Sequence, residues 1–156
     1  MALGLTLGAD IPFFLFGQTA QVAGIGEQLT ALPDQPEQPM VLVYPGVVLA
    51  TAMVFRRFHE RLTMTDQTAM LPPESAPDND LQLAAMDLAP VLGMAWCALQ
   101  SVDAKRVWMS GSGSTLCGLF DSAESADAAA ARLRRDHPEW SVFSGTTFNQ
   151  HPLRNS

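Results

Sequence analysis

The sequence predicts an α+β fold, in which a split βαβ sandwich of ferredoxin-like type begins near Met40. Short apolar runs are typical of buried strands, and longer runs follow the helical period. From Met40 onward these runs come in the order strand, helix, helix, strand, strand, helix, strand. With 156 residues, of which 47% are hydrophobic, the chain is long enough for one domain with a real core.

The N-terminal stretch Leu7–Gly17 is apolar but is interrupted by glycine and proline. Asp10 is followed by Ile11 and Pro12, and since proline is common in a first helical turn, Asp10 is expected at a helix N-terminus. The run Gln18–Ile25 is predicted to be a strand, and a turn with two glycines follows it. A proline-rich polar loop then leads into the predicted sandwich.

The middle of the chain contains one predicted strand and the longest helical pattern. Met40–Tyr44 is predicted to be a buried strand, and Thr51 is predicted to cap the helix after it. The chain from Thr63 to Asn79 has several prolines and is predicted to be a loop. The pattern Leu81–Ser101 is helical, but Pro90 should kink it or split it in two.

The last third of the chain supplies the remaining elements of the sandwich. Val107–Ser110 and Thr115–Phe120 are predicted to be strands on either side of a Gly/Ser turn. Ser125–Asp136 is an alanine-rich helical pattern, and Trp140–Phe148 alternates well enough to be a closing strand.

The charge and the rare residues exclude several classes of partner. Sixteen acidic residues against nine basic ones give a net charge of -7, a poor platform for nucleic acid. No apolar run reaches the length of a membrane span. The histidines lack metal-ligand spacing, and Cys97 and Cys117, which have apolar neighbours, are expected in the core. We therefore expect no nucleic acid, no membrane and no metal bound by side chains.

Two short segments could carry chemistry. Asp10 lies among small residues beside a prolyl turn, where a carboxylate can accept a proton from a substrate hydroxyl or cap a helix. The segment Ser110-Gly111-Ser112-Gly113-Ser114 can form a backbone concavity that binds phosphate, or a simple hairpin turn. It is not a Walker loop, because no lysine follows the glycines.

The two segments belong to a larger set of motifs. Four blocks follow one another along the chain: Leu7-Gly8-Ala9-Asp10-Ile11-Pro12-Phe13-Phe14 with Gly17 and Gly24-Ile25-Gly26-Glu27, then Pro45-Gly46 with Thr51 and Val54-Phe55, then Asn79-Asp80-Leu81, and last Met109-Ser110-Gly111-Ser112-Gly113. In this order they resemble the 4-diphosphocytidyl-2-C-methyl-D-erythritol kinases, a family of the GHMP kinase superfamily. The resemblance covers most of Leu7 to Phe120.

The resemblance implies a reaction, its cofactors and its site residues. The reaction is transfer of the ATP γ-phosphoryl group to a hydroxyl of a cytidine diphosphate-linked methylerythritol, with Mg²⁺ accompanying ATP. Asp10 matches the catalytic aspartate, and Phe55 matches the aromatic residue that stacks on cytosine. Thr51 belongs to the same substrate-binding block, and Gly111 and Gly113 match the glycine turn near the phosphates.

The sequence also departs from the family. The ATP-binding loop rich in glycine and serine and the catalytic lysine, which lie upstream in this superfamily, have no counterpart, since the single lysine is Lys105. We therefore expect residues 1–32 to be a remnant of the N-terminal kinase domain and residues 40–150 to be the GHMP kinase C-terminal domain, inactive alone. The apolar Phe13–Phe16 region is then expected to be exposed and to favour self-association.

Several alternatives stay open at this point. The substrate could be that of another GHMP kinase, of the homoserine or mevalonate type. A non-catalytic ferredoxin-like module that binds a small ligand or a partner chain would explain the element order without any lost sequence. The family implies bacterial cytoplasm or a plastid. The kinase hypothesis makes one geometric prediction: Asp10 and the glycine turn border one cleft, with Phe55 on its far wall.

Overall fold

The computed structural model describes residues 6, 8, 10–64 and 79–151. The chain divides into two compact units, Met1–Gln38 with Thr147–Ser156, and Pro39–Thr146. The elements are α1 (Ile11–Phe16), β1 (Ala20–Ala23), β2 (Gln28–Ala31), β3 (Pro39–Tyr44), α2 (Thr51–Met64), α3 (Gln82–Leu88), α4 (Val91–Ser101), β4 (Arg106–Met109), β5 (Leu116–Leu119), α5 (Ala123–Asp136) and β6 (Ser141–Thr146). No helix among these is long and apolar enough to cross a membrane.

The second unit contains a four-stranded antiparallel sheet with the order β4-β5-β3-β6. Strand β5 lies between β3 and β4 and is antiparallel to both, so β3 and β4 run in the same direction with one strand inserted between them. This is the split βαβ arrangement that the element order predicts. The expected α+β sandwich is therefore confirmed.

The core of this unit lies between one face of the sheet and the helices. Val41 and Val43 of β3 are fully buried, and the register places Leu116 and Val142 beside Val43 on the same face. The helices contribute Leu92 and Leu99 from α4 and Leu133 from α5, together with buried alanines. Apolar side chains two residues apart on the strands and three or four apart on the helices thus meet in one layer.

Pro90 divides the long helical pattern as expected. Helix α3 ends at Leu88, and Pro90 occupies the position before the first residue of α4. Helix α2 is longer than predicted, because it continues through Thr63 to Met64. The rest of the predicted loop, 65–78, lies outside the described residues.

Helix α5 begins with a capping box. The Ser122 hydroxyl accepts a hydrogen bond from the Ser125 N–H at 3.2 Å, and the Ser125 hydroxyl accepts one from the Ser122 N–H at 3.2 Å. The helix therefore starts at Ala123, two residues earlier than the sequence pattern predicts.

The two cysteines differ in their surroundings. Cys117 in β5 is buried as expected, and burial raises the pKa of its thiol to about 11. Cys97 is exposed on α4, so the expectation that it packs in the core is wrong. Buried residues of α4 recur at Leu92, Ala95 and Leu99, and a residue two positions after Ala95 points about 200° around the helix from it.

The first unit consists of the short helix α1, a hairpin and the C-terminal residues. Strand β1 pairs with β2 through a turn in which Gly24 and Gly26 have φ of 70° and 119°. The predicted strand Gln18–Ile25 is therefore shorter than expected, and β2 was not predicted. Asn149 links the C-terminal residues to both sides of the hairpin. Its Oδ1 accepts from the Thr19 hydroxyl at 3.1 Å and from the Gln35 N–H at 2.7 Å.

Candidate functional site

The Gly/Ser segment between β4 and β5 forms a tight turn. The Ser110 N–H donates to the Thr115 carbonyl at 2.9 Å, and the Gly113 N–H donates to the Ser110 carbonyl at 2.9 Å. Gly111 and Gly113 have φ of 55° and 90°, a region that glycine enters without strain. A Cβ on Gly113 would lie 2.8 Å from the Met109 sulfur, so this position requires glycine for space as well.

Asn79 fastens the beginning of this turn. Its Nδ2 donates to the carbonyl oxygens of Met109, at 2.8 Å, and of Gly111, at 2.6 Å. Its Oδ1 accepts from the Leu81 N–H at 2.9 Å, which fixes Asn79 to the start of α3. Gln82, only 3% exposed, adds a bond in which its Oε1 accepts from the Met109 N–H at 3.1 Å.

The end of the turn is fastened to the segment that leads into α2. The hydroxyls of Thr51 and Ser112 are hydrogen-bonded at 2.9 Å, and the Ser114 hydroxyl donates to the Val47 carbonyl. Helix α2 begins at Thr51. The carbonyl of Ala50, the residue before the helix, accepts from the N–H groups of Met53 at 2.8 Å and Val54 at 3.2 Å. The Thr51 hydroxyl is thus bonded to the turn instead of serving as the predicted helix cap.

Phe55 lies one helical turn after Thr51 and therefore on the same side of α2. Its side chain is 45% exposed, whereas Val54 is buried and Phe58 packs against the core. The ring is therefore not part of the core and is available to a ligand. Thr51, Phe55, Gly111 and Gly113 thus belong to one connected part of the second unit.

The turn carries unused hydrogen-bond donors. Gly111 and Gly113 have positive φ and Ser112 between them does not, an alternation that is typical of backbone turns that bind anions. Among the hydrogen bonds of the described residues, none has the N–H of Gly111 or Ser112 as its donor. Helix α2, which begins beside the turn, has no acidic residue in its first turn. Partial positive charge from the helix N-terminus is therefore not neutralised locally.

Asp10 lies in the first unit, directly before α1. It occupies the expected position at the helix N-terminus, with Pro12 in the first turn, but its carboxylate makes no capping hydrogen bond. The side chain is exposed. The purely structural interpretation of Asp10 as a helix cap therefore lacks its hydrogen bond, and the carboxylate is available for another role.

The contacts of Asn79, Gln82 and Ser114 were not predicted. The sequence showed an Asn-Asp pair before a long helix, but no spacing rule indicates that the Asn79 amide reaches residues 30 and 32 positions away. Gln82 could be recognised as a structural residue only from its burial, which the sequence does not show, because glutamine side chains are mostly exposed.

Comparison with protein families matches residues 62–139 to the family described as GHMP kinases C terminal. A 4-diphosphocytidyl-2-C-methyl-D-erythritol kinase of Chelativorans sp. (strain BNC1) is 40% identical over 158 residues, covering 93% of this chain and 52% of the relative. The crystal structure of a 4-(cytidine 5'-diphospho)-2C-methyl-D-erythritol kinase superposes with a TM-score of 0.74 at 31% identity, covering 95% of this chain and 56% of that one.

A crystal structure of homoserine kinase from Cytophaga hutchinsonii superposes with a TM-score of 0.61 at 18% identity, covering 87% of this chain and 50% of that chain, and shows the shared fold alone. The chain spans about half the length of the curated relatives it matches. The family match covers the last three residues of α2, the Asn79 segment, the glycine turn and α5. The chain therefore belongs to the GHMP kinases, and carries their C-terminal domain.

Proposed function

We propose that the chain is the substrate-side part of a kinase that phosphorylates the hydroxyl of 4-diphosphocytidyl-2-C-methyl-D-erythritol with ATP. The main support is the hydrogen-bonded junction of the glycine turn with the start of α2, one helical turn from the exposed Phe55 ring. The kinase names of relatives at about 40% identity agree with this substrate.

In the proposed complex the two halves of the substrate are bound by different chemistry. The cytosine stacks on Phe55, an interaction worth about 1–3 kcal/mol per base. The phosphate groups lie near the unused N–H donors of Gly111 and Ser112 and near the start of α2, where backbone dipoles favour anions without any lysine or arginine. In this proposal, backbone donors allow a chain with a net charge of -7 to bind an anionic substrate.

Asp10 has the proposed catalytic role. The substrate hydroxyl oxygen forms a bond to the γ-phosphorus of ATP as the bond from that phosphorus to the bridging oxygen of the departing ADP breaks. The Asp10 carboxylate orients the hydroxyl and receives its proton. Such a reaction depends mostly on positioning and on stabilisation of charge, so the role proposed for Asp10 is to orient the hydroxyl while the ATP-binding part of the kinase stabilises the charge.

Within residues 6, 8, 10–64 and 79–151, no group of three His, Cys, Asp or Glu residues could hold a metal ion. We propose that Mg²⁺ arrives with the phosphates of ATP.

The proposed active unit is larger than this chain. Residues 1–32 are proposed to belong to the N-terminal kinase domain and residues 40–150 to the C-terminal one, so that the ATP loop comes from sequence outside this chain. The bacterial relatives and the free thiols of Cys97 and Cys117 favour a reducing bacterial cytoplasm as the place of action.

The test is phosphoryl transfer in an assembled kinase. The chain is combined with the N-terminal half of the Chelativorans sp. relative, and transfer from ATP is measured with three acceptors: the cytidine diphosphate-linked methylerythritol, homoserine and mevalonate. Transfer to the first alone is expected. Transfer to homoserine or mevalonate would contradict the proposed substrate. No transfer to any acceptor would favour the non-catalytic ferredoxin-like module.

A further inference from the structure

The glycine turn has an unusual division between its donors and its acceptors. All three carbonyl groups at its start are hydrogen-bonded: those of Met109 and Gly111 accept from the Asn79 amide, and that of Ser110 accepts from the Gly113 N–H. The N–H groups of Gly111 and Ser112 donate to no other group of the described residues. The start of the turn, Met109 to Gly111, therefore has its three carbonyl oxygens occupied, while the N–H groups of Gly111 and Ser112 are left as donors.

This division matters for a bound anion. A carbonyl oxygen carries partial negative charge, so a peptide unit that rotates its oxygen toward a phosphate repels it, whereas one that presents N–H attracts it. In a turn with two glycines the peptide units rotate easily, because neither glycine restricts φ. Something outside the turn must fix their orientation, and the Asn79 amide is the side chain that bonds to two of them.

We propose that Asn79 is a positioning residue that holds the carbonyl oxygens of Met109 and Gly111, so that the N–H groups of Gly111 and Ser112 are presented to a phosphate. The inference rests on the proposed function, which supplies the phosphate. Asn79 does not touch the ligand in this proposal. It acts through the backbone, and its third hydrogen bond, from the Leu81 N–H, fixes the amide itself to the start of α3.

The experiment uses the chain itself with inorganic pyrophosphate as the probe, and follows the amide resonances of Gly111 and Ser112 by NMR. Two variants, Asn79→Ser and Asn79→Asp, keep an oxygen that can accept from the Leu81 N–H but lose the donors to Met109 and Gly111. Ser122→Ala is the matched control, because it removes a hydrogen bond of similar kind at the start of α5, away from the turn.

The unmodified chain should bind pyrophosphate with shifts at both resonances. Asn79→Ser should weaken binding about tenfold, the loss expected for one hydrogen bond to an ionised group. Asn79→Asp should weaken it further, because it also adds a negative charge. Ser122→Ala should lower the melting temperature and leave the pyrophosphate affinity unchanged, which separates positioning from a general loss of stability.

Three results would overturn the inference: no shift at Gly111 and Ser112 in the unmodified chain, unchanged affinity in Asn79→Ser, or equal weakening by Ser122→Ala. Failure here is distinguishable from failure of the proposed function. If the assembled kinase transfers phosphate and Asn79→Ser binds pyrophosphate normally, only the positioning role of Asn79 is contradicted. If the assembly transfers no phosphate, the proposed function is contradicted.

Discussion

At the scale of single residues, the exposed ring of Phe55 leads to a direct prediction. Phe55→Ala should lower the affinity for cytidine diphosphate by about 1–3 kcal/mol, because base stacking is lost. It should hardly change the melting temperature, since the ring is 45% exposed. Isothermal titration and thermal unfolding measure the two quantities.

Met53→Ala is the matched control, because Met53 lies on the same helix and is also 45% exposed but has no aromatic face. Equal losses of affinity in both variants would contradict the stacking role. So would a loss of stability of about 3–5 kcal/mol in Phe55→Ala, which is typical of a truncated core phenylalanine.

Single residues also show how far the sequence alone could go. Phe55 was recognised by its place in a motif, and the exposed side chain agrees with that choice. The apolar neighbours of Cys97 along the chain do not predict its burial, because the helical period decides which side of α4 faces the core. Asn79 was noted as part of a motif, but its contacts with the turn depend on the tertiary fold.

At the scale of elements, one carboxylate links α2 to α3. Asp87 accepts from Arg57 Nε at 2.9 Å and from Arg61 Nη1 at 2.8 Å. Burial opposes ionisation of Asp87, but the hydrogen bonds from Arg61 and Arg57 outweigh it and lower the pKa of this carboxyl. Arg57 and Arg61 of α2 therefore link this helix to α3.

Asp87→Asn should reduce the free energy of unfolding at pH 7 by about 1 kcal/mol, the upper end for pairs of this exposure. Because the pKa is lowered on folding, the stabilisation is complete above the unfolded-state pKa of about 3.9 and is lost as the pH falls through the folded-state value. Urea unfolding at several pH values measures both effects.

The control for this prediction is Arg56→Ala, since Arg56 belongs to an exposed pair with Glu60 at 4.0 Å. It should leave the stability unchanged. If Asp87→Asn unfolds at the same urea concentration as the unmodified chain at neutral pH, the link between the helices contributes nothing.

Elements differ in how well the sequence predicts them. Pro90 ends a helix wherever the fold places it, so the division between α3 and α4 follows from the missing N–H and the ring of one residue. Strand β2 has no comparable signal. Its sequence Gln28–Ala31 contains one leucine among small and polar residues, and the strand forms because a turn with two glycines returns the chain to β1.

At the scale of the whole molecule, the apolar residues of α1 predict self-association. Phe14 and Leu15 are 63% and 62% exposed and adjacent, and such patches favour association. The chain alone should show a sedimentation coefficient that rises with concentration. Changing both residues to serine should abolish the rise, whereas Val48→Ser, at an exposed position in the other unit, should not. A monomer at all concentrations would contradict this prediction.

The two units carry the residues proposed for the substrate side of the reaction, whereas the ATP loop is proposed to come from sequence outside this chain. The second unit holds the glycine turn and Phe55, and the first holds Asp10. The motifs predicted these residues, but the shared cleft that should contain them stays a prediction, because contacts between distant parts of a chain are not encoded in motif spacing. The central claim is that Asp10 acts in the same reaction as the glycine turn.

The most direct measurement compares Asp10→Asn with Asp34→Asn in the assembled kinase. Asp34 is also an exposed acid of the first unit, and its change should leave turnover unaffected. Asp10→Asn should lower kcat about a hundredfold or more, the contribution of a positioned general base, with unchanged affinity for cytidine diphosphate. Equal turnover in the two variants would contradict the claim that Asp10 and the glycine turn serve one reaction.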